Sequence, residues 1–244
     1  MTTPRPHLLG LFAGLLLSGA LVLSSALLTR TWMKVADSES ISVTGSARRN
    51  VSSDLVVWQG TVTVEGSSLL QAQSTLREHT DTLLAFFKAN KVTNAALQPI
   101  LITRLSGQID QGQRTYTTNR GFRLSRTAVI RSANIDTVLA MDATTGNLVQ
   151  EGIEFSSAPP EFIWTKAGEA KVEMLADATR DAKERALQIA SQGNRTLSRL
   201  KSARMGVFQI TPLFSTQNAW DGMNDTGSRE KTVTAVIHAN FALN

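Results

Sequence analysis

From Leu8 to Thr29 the sequence LLGLFAGLLLSGALVLSSALLT runs for 22 residues without a charged side chain. At a helical rise of about 1.5 Å per residue such a run crosses a hydrocarbon layer of about 30 Å. In lipid the backbone must satisfy its own hydrogen bonds, so this stretch forms a helix and takes no part in a water-soluble core. A secretory signal has an apolar region of about 7 to 15 residues, so the length favours a retained anchor. Ser24-Ser25-Ala26 nevertheless offers a small-x-small site that a signal peptidase accepts. Both readings send the rest of the chain across the membrane. Arg5 precedes the run and Arg30 and Lys34 follow it, so flanking charge does not fix the orientation. The short leading tail is threaded most simply with the N-terminus in the cytoplasm. Gly10 and Gly14 form a G-x-x-x-G pair of the kind that permits close helix contact, a weak signal by itself.

The chain divides accordingly into an anchor or signal over residues 1–34 and one domain over residues 35–244, with no linker inside the second part. The net charge of +5 suggests nucleic acid until it is located. Arg5, Arg30 and Lys34 account for +3, and from Val35 onward 22 basic residues face 20 acidic ones. A domain so balanced is not a phosphate-binding surface, and no nucleic-acid partner is expected. One stretch departs from the balance: Arg104, Arg114, Arg120, Arg123, Arg126 and Arg131 lie in a segment whose one acid is Asp110. There is no cysteine, which removes disulfides, thiol nucleophiles and thiolate metal sites.

Hydrophobic alternation organises the remainder. ISVTGSA, with Ile41, Val43 and Gly45 on one side, and DLVVWQGTVTVEG, with Val56, Trp58, Val62 and Val64 together, read as strands and are expected to pair antiparallel. A helix follows over Leu69–Asn90, capped by Ser67 or Ser68 and closed by Asn90. ALQPILITRLSGQ and RGFRLSRTAVIRS read as two strands about a polar hairpin, and NIDTVLAMDATTGN as a helix capped by Asn134 or Asp136. Next come a strand GIEFSS, the breaker Pro159-Pro160 and a helix from about Thr165 to Gly193. Its apolar band is Ala170, Met174, Ala178, Ala182, Ala186 and Ile189, small enough for close approach to a sheet. SRLKSARMGVFQITP and KTVTAVIHANFAL are the last two strands, joined by a polar loop that carries Trp220. Strands interrupted by about three helices, without regular βαβ alternation, predict an α+β fold of antiparallel strands behind one N-terminal transmembrane helix.

The chemistry-bearing residues are sparse. His7, His79 and His238 are the only histidines, and they show neither H-E-x-x-H nor paired spacing. No G-x-S-x-G elbow, Walker loop or G-x-G-x-x-G motif occurs. No metal, cofactor or catalytic residue is expected. Glu151, Glu154 and Glu161 form an acidic edge that complements the arginine hairpin.

The opening I-x-V-x-G of Ile41, Val43 and Gly45 begins a pattern that continues through Asp54 before the second strand. It then takes in the A-x-x-D-A-x-x-R-A run of Ala178, Asp181, Ala182, Arg185 and Ala186, and ends in the alternating strand TVTAVIHANFAL. Over about residues 39–244 this order resembles the SIMPL domain of bacterial envelope proteins. The chain departs from the usual pattern with Ser53 before the aspartate and with Gly121-Phe122 at a strand start that is commonly aromatic-rich. The resemblance implies a periplasmic or surface location, an α+β fold and, in some members, ring-like homo-oligomers, and it implies no enzyme; with the apolar run as anchor, the expectation is a non-enzymatic single-pass protein of the bacterial inner membrane with its domain in the periplasm. The expected function is therefore self-association in support of envelope integrity or stress tolerance. Arg114, Arg120, Arg123, Arg131, Glu151, Glu154 and Trp220 are the expected contact residues. The alternative is a module that binds an anionic envelope component through the Arg104–Arg131 hairpin. No other protein partner is indicated.

Overall fold

The computed structural model describes residues 6–36, 39–110, 115–215 and 222–244. Arg114 and Trp220 lie outside them. Helix α1 (Pro6–Ala36) contains the uncharged run, and Gly10–Arg30 is long and apolar enough to cross a membrane. Leu11, Phe12, Leu15, Leu16 and Leu17 are all exposed. Consecutive positions point to every side of a helix, and a helix that is apolar all round suits lipid rather than a protein surface.

The rest is α+β, in antiparallel sheets. Strand β1 (Ser40–Ser52) lies in a sheet of order β1-β9-β8, with β8 spanning Leu197–Pro212 and β9 Glu230–Leu243. Strand β2 (Leu55–Gly66) belongs to the other sheet, in which β5 (Thr115–Ser132) runs antiparallel beside it from Val56↔Ser132 to Gly66↔Phe122. The expected β1–β2 pair is therefore not formed. Ser53 and Asp54 turn the chain from one sheet to the other, fixed where the Ser53 amide donates to the Arg229 carbonyl and the Asp54 amide to the Ile163 carbonyl. Strands β3 (Ala95–Leu97) and β4 (Leu101–Asp110) also pair with β5, and β6 (Glu154–Ser157) and β7 (Glu161–Ile163) pair with the far edge of β2.

The chain forms two compact units. The first comprises residues 1–47, 175–206 and 236–244, the second residues 48–174 and 207–235. Every boundary falls inside a regular element: β1, helix α5 (Ala167–Gln192), β8 or β9. No change of composition marks the division because no linker carries it.

In the second unit helix α2 (Leu69–Ala89) is capped by Ser68, whose hydroxyl accepts the Gln71 amide. It buries Ala72, Leu76, Leu83 and Phe87 against Val56, Trp58, Val62 and Val64 of β2 and Leu124, Ala128 and Ile130 of β5. The expected helix at 134–147 is two: α3 (Ile135–Asp142) and the short α4 (Gly146–Gln150). Thr144 and Thr145 return their hydroxyls to the carbonyls of Met141 and Asp142, which ends α3 one turn early. Asn134 is the cap; Asp136 instead receives both guanidinium nitrogens of Arg229, at 2.6 and 3.4 Å.

In the first unit the buried side chains of α5 are Ala178, Ala182, Ala186 and Ala190, strictly every fourth residue. Ile189, expected on this band, is exposed. The row of fourth residues is inclined to the helix axis, and Ile189 falls off it.

Candidate functional site

The described residues among those expected to mediate self-association, Arg120, Arg123, Arg131, Glu151 and Glu154, lie in the second unit, on and around β5. Even-numbered residues of β2 face α2, so the odd ones face away: Gln59, Thr61, Thr63 and Glu65. The register sets Arg123 beside Glu65, Ser125 beside Thr63, Thr127 beside Thr61 and Arg131 beside Val57. Thr63 also has Glu154 as a neighbour, and Val57 has Glu161. Arg123, Arg131 and two of the three acids thus share one face of one sheet, separated by the width of β2, whereas Arg126 stands opposite Val62 on the face toward α2. Glu151 stands apart as the C-cap of α4.

The described arginines are partly engaged within the sheet. Arg123 is already paired, its Nε donating to Glu65 Oε1 at 2.8 Å with both side chains about half exposed. Arg104 lies 5.9 Å from the centre of the Phe122 ring. Arg126 Nε donates to the Gln98 carbonyl at 3.4 Å. Between Leu105 and Ser106 the β4–β5 register shifts, so that Leu105 faces Gly121 and Ser106 faces Asn119. Arg120 falls in this bulge and lays its side chain over Gly107, where a Cβ would meet Arg120 Cδ at 2.6 Å. Gly121 has φ +125°, which a side chain adopts only under strain.

Past Phe122, strand β5 has left β2 behind while its pairing with β4 continues to Asp110↔Thr115. A two-stranded ribbon therefore extends beyond the sheet. The other edge of β4 pairs with no strand among the described residues. Leu101 is 65% exposed and Ile102 52%. The edge has exposed aliphatic side chains and neither lysine nor proline along it, so its first half is open to strand addition, while Arg104 and the bulge after Leu105 are the features that oppose it.

The motif residues have structural duties. Ile41 and Val43 pack with Ala178, Ala182 and Ala186 in the first unit. A Cβ on Gly45 would overlap the Ala178 carbonyl oxygen and the Ala182 amide, so strand and helix backbones touch there. Asp181 accepts the Ser46 amide at 2.8 Å and Arg185 Nε at 2.9 Å, and both bonds hold its carboxyl below the usual range. In the second unit burial raises the Asp54 carboxyl. The Thr165 amide and hydroxyl, both at 2.8 Å, outweigh it and leave the pKa lowered. Thr165 is thereby held outside α5, which starts at Ala167.

Gly45, Asp54, Asp181 and Arg185 are among the residues on which the resemblance to a known family rests, and a family model matches the chain over the stretch that contains them. The SIMPL family, described as a protein of unknown function (DUF541), matches residues 41–241. The chain belongs to the SIMPL family. No curated protein matches it.

One buried charge of this SIMPL domain lies outside the residues expected from the sequence. Lys231 is 1% exposed and donates to both the backbone carbonyl and the carboxylate of Asp225. Asp225 also accepts the amides of Gly227 and Ser228. This network straps residues 222–229 to β7 and β8, where the Phe162 amide donates to the Thr226 carbonyl and the Ile210 amide to the Met223 carbonyl. The D-x-G-S turn before the lysine was the available signal. His238 stands on the polar side of β9 and shares a 3.0 Å hydrogen bond with the Thr44 hydroxyl across the sheet.

Proposed function

We propose that this SIMPL protein is a non-enzymatic, membrane-anchored component of the bacterial envelope. Its domain stands in the periplasm and self-associates, and the assembly supports envelope integrity or stress tolerance. The observation that carries the reading is the edge of β4, unpaired among the described residues, with Leu101 and Ile102 exposed and continuous with the projecting ribbon. Strand addition at an edge supplies main-chain hydrogen bonds and register together, and pockets between side chains add specificity. Charge is the weaker contributor, because exposed ion pairs are worth about 0 to 1 kcal/mol each and Arg123 already has Glu65. Apolar contact through Leu101 and Ile102 therefore does most of the holding. A head-to-tail contact between unlike surfaces closes into a ring when its rotation permits. The helix Gly10–Arg30 supports anchoring close to the membrane, since β1 begins at Ser40.

The test is the mass of the full-length protein in detergent, by light scattering. The wild type is expected to be an oligomer, and Leu101→Lys with Ile102→Lys to shift it toward monomer with an unchanged far-UV circular dichroism spectrum. A monomeric wild type at tens of micromolar, or an intact oligomer in the double variant, would overturn the edge assignment. Arg120, Arg126 and Arg131 favour the second reading, a binding module for an anionic envelope component. Under that reading the protein binds anionic vesicles in a salt-sensitive way whatever its oligomeric state.

A further inference from the structure

Within the second unit, one face of the β1-β9-β8 sheet carries a cavity of about 150 Å³. Alternation along the strands lines it with polar groups: Arg48 and Asn50 from β1, Thr232 and Thr234 from the central β9, and Thr211 from β8. Thr211 and Thr232 are 5% and 8% exposed, unusual burial for hydroxyl side chains. The Thr232 hydroxyl donates to Asn50 Oδ1 at 3.1 Å, and the Thr211 hydroxyl makes only a long 3.4 Å bond to the Thr232 carbonyl. The Asn50 amide nitrogen and the remaining hydroxyl lone pairs are the groups left to serve a ligand.

Phe214 lines the same cavity and is 85% exposed. Its φ is +60°. The other described non-glycine residues with positive φ, Lys91 and Asn194, follow the ends of α2 and α5, where a left-handed residue closes a helix. Phe214 follows a strand. It is held in its turn by the Leu213 amide on the Glu230 carbonyl and the Ser215 amide on the Pro212 carbonyl. A bulky residue that is both strained and set in water gains nothing for the fold, and such outliers gather where a ligand is held.

We propose that this cradle binds a pyranose sugar, with one C–H face stacked on Phe214 and its hydroxyls on Thr211, Thr232 and Asn50. Three properties select that class. Threonine hydroxyls and an amide offer donors and acceptors in mixture, as sugar hydroxyls require. The aromatic face attracts the positively polarised C–H side of a ring. The cavity is smaller than the roughly 300 to 1,000 Å³ of sites for larger organic ligands, and so fits a single ring or the end of a chain. Among the described residues Arg48 is the one cation in the lining, which suits a sugar bearing one acidic group and falls short of a cluster built for phosphate. The proposal is independent of self-association: it uses no residue of β4 or β5.

The experiment titrates full-length protein, in amine-oxide micelles that contain no sugar, with methyl β-glucoside, N-acetylglucosamine and inorganic phosphate. Saturation-transfer NMR and calorimetry read binding. At least one sugar is expected to bind, with transfer strongest to the ring protons of one face. Phe214→Gly is expected to weaken binding about tenfold or more while the melting temperature stays level or rises, because glycine accepts the positive φ. Phe214→Trp keeps the stacking surface and retains binding, and Thr232→Val weakens it. Absence of binding by both sugars, binding of phosphate in their place, or unchanged affinity in Phe214→Gly would each overturn the proposal.

Discussion

The two units build a core by opposite means. In the first, α5 presents alanines and β1 presents Gly45, so backbones meet with almost no side chain between them. In the second, Trp58 is fully buried, stacked near Phe155 at 6.1 Å and edge-on to Phe87 at 5.7 Å, with its indole N–H given to Asp142 at 2.7 Å. Gly60 is needed there as well, because a Cβ would strike the Trp58 and Phe155 rings. One core is thin and fails when an atom is added. The other is filled by large rings and fails when atoms are removed.

The largest expected effect tests the filled core. Trp58→Ala should cost about 3 to 5 kcal/mol, since it empties the centre of the cluster, and it also orphans the Asp142 carboxylate. Urea unfolding of the full chain in detergent measures it. Gly45→Val, the converse change in the thin core, should cost about 3 kcal/mol, at or beyond the upper end for overpacking, because the obstacles are backbone atoms that cannot rotate away. Adding Ala182→Gly should not restore stability: it removes a methyl but leaves the Ala182 amide and the Ala178 carbonyl in place. Full rescue by that second change would show that the contact is between side chains after all, and the contrast between the cores would lapse.

Acid is a finer probe of both units. Asp181 in the first and Asp54 and Asp225 in the second all have carboxyls held below their ordinary pKa. For Asp225 burial pushes upward, but the hydrogen bonds from Lys231 and Gly227 prevail. A carboxylate with a depressed folded pKa contributes fully above its unfolded pKa and loses the contribution as pH falls through the folded one. Stability should therefore be level above about pH 5 and decline below about pH 4. Asp181→Asn should remove about 1 kcal/mol at neutral pH, less than a buried charged hydrogen bond because the site is partly open, and should make the acid decline shallower.

How much of this was legible depended on distance along the chain. Strand alternation, the Ser68 cap, the Asn90 stop and the alanine stripe of α5 are local patterns, and the sequence displays them directly. The partner of β1 is set elsewhere: Gly45 must meet α5, and Ser53 and Asp54 must carry the chain to the other sheet. Two adjacent alternating strands look like a hairpin whatever their partners are. The choice of Ala190 over Ile189 was likewise hidden, because three- and four-residue spacings look equally helical until a neighbour selects one ridge. At the candidate site the arginine-rich hairpin was visible as a charge run, but the pairing of Arg123 with Glu65 required the β2–β5 register. Phe214 gives no sign in sequence, since a positive φ on a phenylalanine follows from no local preference. Thr211, Thr232 and Thr234 read only as ordinary strand residues.

The smallest expected change concerns that register pair and separates stability from association. Arg123 and Glu65 are about half exposed and belong to the second unit, well away from its aromatic centre. An exposed pair contributes about 0 to 1 kcal/mol, so Glu65→Gln should leave urea unfolding within error of the wild type. It does, however, release the Arg123 guanidinium on the face that also carries Glu154, one strand farther across β2. If acidic side chains of a second copy help hold the assembly, the released arginine should strengthen association at low salt, and Arg123→Glu should weaken it. Sedimentation of the two variants beside the wild type gives the comparison. Equal association in all three would confine this face to the folding of its own sheet and leave the β4 edge to carry the assembly alone.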